Sequence, residues 1–140
     1  MKIFLDANVL ISVLNKEYPV FTYSSRILSN QQNFKLFTSP LCLAIAFYFS
    51  EKKSGRTLAK SKIYTLCKHV NITGLNKETV TKAMENKKVL DLEDGLEYYS
   101  AIESGCKYII TEDSDDFYFS DIEVMNSRLF FETHFKRRNG

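Results

Sequence analysis

Asp6 follows the apolar run Ile3-Phe4-Leu5 directly and precedes Ala7-Asn8-Val9-Leu10-Ile11. A second acidic group, Asp113-Ser114-Asp115-Asp116, comes just after Tyr108-Ile109-Ile110-Thr111. Between them Asp94 stands near the start of a helical pattern, flanked by Asp91 and Glu93. Carboxylates gathered from several chain segments suit hard divalent cations such as Mg²⁺ or Mn²⁺, which prefer oxygen ligands and often retain water. A cation held this way orients a phosphodiester, lowers the pKa of its water and stabilises charge on the leaving oxygen. Carboxylates packed without a cation repel one another, and some take up protons.

The elements that would position these acids follow from pattern and punctuation. Met1 to Leu5 reads as a buried strand and Ala7 to Asn15 as a short helix. Pro19 suits the first turn of a helix running to about Ser29. Phe34 to Thr38 is a strand, and Ser39-Pro40 opens a strongly apolar, buried helix from Leu41 to Lys53. Arg56 to His69 carries Ala59, Ile63, Leu66, Cys67 and Val70 at helical spacing. A short strand at 70–73 and a polar helix at 77–86 come next. Leu90 to Ser104 is the clearest helix, with Leu92, Leu96, Tyr99 and Ile102 on one stripe and Gly105 as its stop. Strands at 108–111 and 122–125 and a helix at 127–135 complete the order. Strands separated by helices imply an α/β fold with a mostly parallel sheet covered on both faces. In open sheets of this kind ligands bind beyond the carboxyl ends of the strands. Asp6 and the 113–116 group both fall there.

The chain has 140 residues and reads as one domain, 1–140. The longest apolar stretch, Leu41 to Phe49, is too short to cross a membrane. Asp6 interrupts the N-terminal apolar run too early for a signal peptide. Cys42, Cys67 and Cys106 are far apart and odd in number, which offers neither a disulfide framework nor a Cys-x-x-Cys metal knuckle. A reducing cytoplasm is the expected setting. The formal net charge is only +2, yet it is unevenly spread. The segment from Asp91 to Glu123 holds eleven acids and one base, Lys107, whereas Glu51 to His69 holds six bases and one acid. Lys136, Arg137 and Arg138 add a basic tail. A cation focus beside basic surfaces suits a polyanionic substrate, with Lys52, Lys53, Arg56 and Lys60 as the candidate bases for its phosphates.

Each acid has a plainer role to weigh. Asp91 as N-cap with Asp94 at N3 is close to a capping box. Glu93 and Glu97 read as exposed helix charges, and the plainer reading of 113–116 is an ordinary acidic turn. Asn8 is suited to hydrogen-bond the backbone or a neighbouring carboxylate, and Thr111 or Ser114 to orient a ligand acid or a phosphate. Tyr98 and Tyr99 lie one turn beyond Asp94, within reach of a stacked base. His69 and His134 show no ligand spacing.

The opening Ile3-Phe4-Leu5-Asp6-Ala7-Asn8-Val9-Leu10-Ile11 resembles the start of a PIN domain. Leu92-Glu93-Asp94-Gly95-Leu96-Glu97-Tyr98-Tyr99-Ser100-Ala101 is similar to that family's third acidic motif, and its spacing to Gly105 through Asp113 and to Asp116-Phe117 also fits. The resemblance spans Met1 to about Phe131. It implies a three-layer α/β/α domain and an Mg²⁺- or Mn²⁺-dependent endoribonuclease, commonly the toxin of a VapC-type toxin–antitoxin pair. It also implies an RNA substrate, a cognate antitoxin protein and often a homodimer. Carried over by motif, Asp6, Asp94 and Asp113 match metal-binding acids and Asp116 the auxiliary acid, all four being the expected catalytic residues. Asn8, Glu93 and Thr111 are the expected auxiliaries.

One departure stands out. The family usually has a glutamate in the helix after the second strand, where this chain has Ile45 or a neighbour. Glu51 lies about 9 Å further along the axis at 1.5 Å per residue. Glu93 is the available acid beside Asp94, although adjacent helix residues point in different directions. The alternative to a nuclease is therefore a degenerate PIN domain that binds RNA or a protein partner. A phosphoaspartyl phosphatase with Asp6 as nucleophile is disfavoured, because Asn8 stands where a second carboxylate would serve as general acid.

Overall fold

The computed structural model describes residues 1–30 and 32–135. The basic residues Lys136, Arg137 and Arg138 lie outside the described residues. Five strands form one fully parallel sheet: β1 (Lys2–Leu5), β2 (Lys35–Thr38), β3 (Asn71–Ile72), β4 (Tyr108–Ile110) and β5 (Glu123–Met125), in the order β3-β2-β1-β4-β5. Seven α-helices flank it: α1 (Ala7–Leu14), α2 (Val20–Ser29), α3 (Pro40–Ser54), α4 (Arg56–Leu66), α5 (Lys77–Glu85), α6 (Leu92–Glu103) and α7 (Ser127–His134). The architecture is the expected three-layer α/β/α.

The central strands are apolar on both faces because helices cover both. Ile3, Phe4, Leu5, Leu36, Ile109 and Ile110 are buried, with Val9, Leu10 and Ile27 of the helices and Phe130 of α7 packed among them. Register brings the strand ends level. Leu5 pairs with Ile110, and the Asp6 amide extends that ladder by donating to the Ile110 carbonyl at 3.0 Å. Thr38 closes β2 beside β1, its Oγ1 donating to the Leu5 carbonyl at 2.8 Å. Asp6, Thr38-Ser39 and Thr111 thus occupy one carboxyl edge.

Two helices depart from expectation. α3 is apolar nearly all round, but only Cys42, Ala46 and Ser50 are buried, a stripe of small residues at four-residue spacing that lies close to α1. Tyr48 and Phe49 remain exposed. In α6 the expected stripe is displaced by about one position. Gly95, Glu97, Tyr98, Ser100 and Ala101 are buried, whereas Leu92 is exposed. The cause is that α6 packs chiefly on α5 and touches α3, while turning Tyr98 and Ala101 into the core. A Cβ built on Gly95 would stand 2.7 Å from Val89 Cγ1 and 3.1 Å from Ala83 Cβ, so the close approach to α5 depends on glycine.

Candidate active site

Asp6 ends β1 and N-caps α1, with its Oδ1 accepting from the Ala7 amide at 2.6 Å. It is 7% exposed. Its other oxygen accepts from Thr111 Oγ1 at 2.7 Å. Fully buried Thr111 is a hub: its Oγ1 also accepts from the Asp113 amide at 3.1 Å and from Asn8 Nδ2 at 3.2 Å. Asn8 reaches the same loop twice more, donating to Asp113 Oδ2 at 3.3 Å and accepting from the Glu112 amide at 3.1 Å. These bonds tie the end of β1 to the turn after β4 and bring Asp113 beside Asp6. Glu112 points elsewhere, accepting from the Ser127 amide and hydroxyl at the start of α7. Asp116 lies in the short 3₁₀ turn Ser114–Phe117 on the exposed rim.

α6 presents its N-terminal turn to this edge. Asp91 caps it by accepting from the Asp94 amide at 3.2 Å, leaving the half-buried Asp94 carboxylate outside the cap. Burial, then the charges of Asp91, Asp116, Asp6 and Glu93, push the Asp94 carboxyl up to about 7. Burial and the neighbouring Asp113 and Asp6 raise Asp116 as well. Glu93 is exposed at the edge of the group, raised by burial of part of its side chain and by Asp91 and Asp6.

The floor of the site is what sequence reasoning missed. Glu97, expected as an exposed helix charge, is 1% exposed. It lies one turn beyond Asp94 on the same face, and the chain offers no base four residues either side of it to pair with, which was the available signal. Glu97 Oε1 accepts from Cys42 Sγ at 3.2 Å. Burial, then the charge of Asp6, push the Glu97 carboxyl up to about 10. Burial, with Glu97 and Asp6 beside it, pushes the Cys42 thiol well above its usual range. One ligand atom each of Asp6, Cys42 and Glu97 lies within 4.8 Å of the others. The residue of α3 that faces the site is therefore Cys42, in its first turn, and not Ile45, which packs against the core. Tyr98 is no stacking platform: it is buried against Tyr99 and Phe119, its hydroxyl accepting from the Asp121 amide.

The basic residues sit apart from the acids. Lys52 and Lys53 end α3, ten residues or more beyond Cys42, which is about 15 Å along the axis. Lys53 donates to the Asn15 carbonyl, Lys52 lies over the Tyr48 ring, and Arg56 approaches Glu51 at 3.8 Å. Lys60 is exposed on α4.

Among the described residues, none of the ion pairs involves Asp6, Glu93, Asp94, Glu97, Asp113 or Asp116. Buried acids gathered without a cation, with Asp94 held up to about 7 by burial and its acidic neighbours, fit a divalent cation. A PIN domain model matches residues 2–115.

The chain belongs to the PIN domain family.

Ribonuclease VapC1 of Aquifex aeolicus (strain VF5) is 32% identical over 139 residues, covering 94% of each chain. Solved PIN-domain neighbours share the fold at lower identity. The VapBC-1 structure from nontypeable Haemophilus influenzae superposes with a TM-score of 0.70 at 16% identity, over 91% of this chain and 99% of that one. VapBC2 from Rickettsia felis, bound to a promoter DNA fragment, gives 0.69 at 16% identity, over 90% and 98%. VapC20 of Mycobacterium tuberculosis, a toxin that cleaves the sarcin-ricin loop, gives 0.63 at 12% identity, over 76% and 86%.

Proposed function

We propose that this PIN domain is a divalent-metal-dependent endoribonuclease, the toxin of a toxin–antitoxin pair, and that Asp6, Asp94, Asp113 and Asp116 carry its chemistry. One observation carries the reading: acids from the end of β1, the β4 turn and α6 gather on one sheet edge, and none of them forms an ion pair among the described residues. Asp6, Asp94 and Asp113 would hold Mg²⁺ or Mn²⁺. The bound ion supplies an acidified water and charge stabilisation at the phosphate. The chain's own residues do the rest. Thr111 fixes the Asp6 carboxylate through its hydroxyl. Asn8 holds Asp113 against it. Asp116, on the exposed rim with its carboxyl raised, would accept a proton there. Glu93, exposed at the edge of the group, adds negative field there. Lys52, Lys53, Arg56 and Lys60 would contact flanking RNA some distance from the cut.

An antitoxin partner is supported by the toxin–antitoxin complexes among the fold's neighbours. The exposed Tyr48, Phe49, Leu58 and Tyr64 give α3 and α4 apolar surface for a partner or a second copy. Among the described residues no helix is long and apolar enough to cross a membrane. A cytoplasmic location belongs to the same proposal.

The second reading, a PIN domain that binds RNA or a protein without cutting, is favoured by one observation: α3 brings a thiol to the site where the family usually has a carboxylate. Incubation of structured RNAs with the protein in Mg²⁺, Mn²⁺ or EDTA separates the two. Cleavage with metal and none in EDTA supports the nuclease. Binding without cleavage in any metal supports the second reading.

A further inference from the structure

The floor of the site differs in chemistry from its mouth. Asp94, Asp113 and Asp116 at the mouth are at least partly exposed and offer only oxygen. The floor brings together a thiol and two carboxylates, all buried and each from a different element: Cys42 from α3, Asp6 from the end of β1 and Glu97 from α6. Glu97 accepts from a thiol, a weak donor, shares a hydrogen bond with Asp6, and forms no ion pair among the described residues. An acid so thoroughly removed from water keeps its proton unless a cation takes the proton's place. The ligand spacing is right for a small ion. The 3.2 Å between Cys42 Sγ and Glu97 Oε1 is close to the edge of about 3.5 Å that a tetrahedron gives for metal–sulfur and metal–oxygen bonds of about 2.3 and 2.0 Å.

We propose that Asp6, Cys42 and Glu97 form a floor site for a thiophilic divalent ion of the Zn²⁺, Co²⁺ or Cd²⁺ class, distinct in preference from the all-oxygen mouth. Hard Mg²⁺ does not select a sulfur ligand, whereas these ions do. On binding, Cys42 exchanges its sulfur–hydrogen bond for a sulfur–metal bond, Glu97 exchanges its carboxyl proton for an oxygen–metal bond, and both protons pass to solvent. Asp6 is common to floor and mouth, so an ion on the floor withdraws Asp6 from Mg²⁺ or Mn²⁺. A thiophilic ion therefore competes with the ion of the proposed nuclease. This inference rests on reading the edge as a cation site, and its test keeps the two apart.

The test uses the whole chain in two titrations. Mn²⁺ binding, followed by the electron-spin resonance of the free ion, reads the mouth. Co²⁺ and Cd²⁺ binding, followed by the thiolate-to-metal charge-transfer absorption, reads the floor without recourse to activity. The expected result is a stoichiometric charge-transfer band and release of bound Mn²⁺ by Cd²⁺. The band should persist in Cys67→Ser and Cys106→Ala and vanish in Cys42→Ser and Cys42→Ala, with the circular dichroism of each variant unchanged. Glu97→Gln should weaken Cd²⁺ at least tenfold while leaving Mn²⁺ within a few-fold. Mn²⁺ binding with no charge-transfer band, or a band that survives loss of Cys42, overturns the floor site and leaves the nuclease reading intact. Failure of every ion to bind overturns both.

Discussion

Replacing Glu97 by glutamine should stabilise the metal-free protein. Glu97 is buried beside Asp6, and its carboxyl is pushed up to about 10. In the unfolded chain it titrates near 4.5. Between these values the folded state holds a proton that the unfolded state has released. Wild-type stability therefore falls as pH rises through this window, and the penalty is absent below it. At pH 7 the gap to the unfolded value is about 2.5 units, which at 1.36 kcal/mol per unit costs about 3 kcal/mol. Glutamine is the neutral isostere: its carbonyl still accepts from Cys42, and its amide donates toward Asp6 as the protonated acid does. Glu97→Gln should thus gain about 3 kcal/mol at pH 7 and roughly 1 kcal/mol at pH 5. The assay is urea unfolding in EDTA at a series of pH values, and the pH-7 gain corresponds to a melting temperature higher by roughly 10 °C. A variant that is less stable than wild type at pH 7, or a difference that does not grow with pH, would refute the burial argument.

Other perturbations test the frame around the site. Thr111→Val keeps the shape but removes the donor to Asp6 and the acceptor for the Asp113 amide. It should cost about 1–3 kcal/mol in chemical denaturation and weaken Mn²⁺ binding in calorimetry. Gly95→Ala places a Cβ 2.7 Å from Val89 Cγ1, so overpacking should exceed the helix-propensity gain of about 1 kcal/mol and lower the melting temperature. Reversing Lys52 and Lys60 to glutamate should weaken binding of single-stranded RNA and flatten its salt dependence by about 0.7 per lost phosphate contact. An unchanged slope would place the RNA elsewhere.

Particular residues show how far the sequence reaches. Strand and helix order could be read because apolar runs alternate with strong punctuation, as at Ser39-Pro40 and Gly105. The edge on which Asp6 and the 113–116 turn meet followed from parallel topology alone. The face of α6 did not, because this helix packs against both α5 and α3. A one-position shift in its buried stripe carries Glu97 from the surface to the floor. For α3 the pattern was apolar all round and specified no face, so nothing pointed to Cys42 as the residue aimed at the acids. Whether a buried glutamate is tolerated depends on what three distant segments bring beside it, which spacing along one helix does not encode.

RNA cleavage by Asp94→Asn in Mn²⁺, alongside wild type and with melting followed on the same samples, tests the central claim most directly. The carboxylate is half-buried among like charges, its proton held up to about 7, and the amide removes one of those charges. The variant should melt no lower than wild type and lose metal-dependent cleavage by at least a hundredfold, of the order seen when one catalytic group is removed. Cleavage at the wild-type rate by a folded variant free of contaminating nuclease would contradict the account.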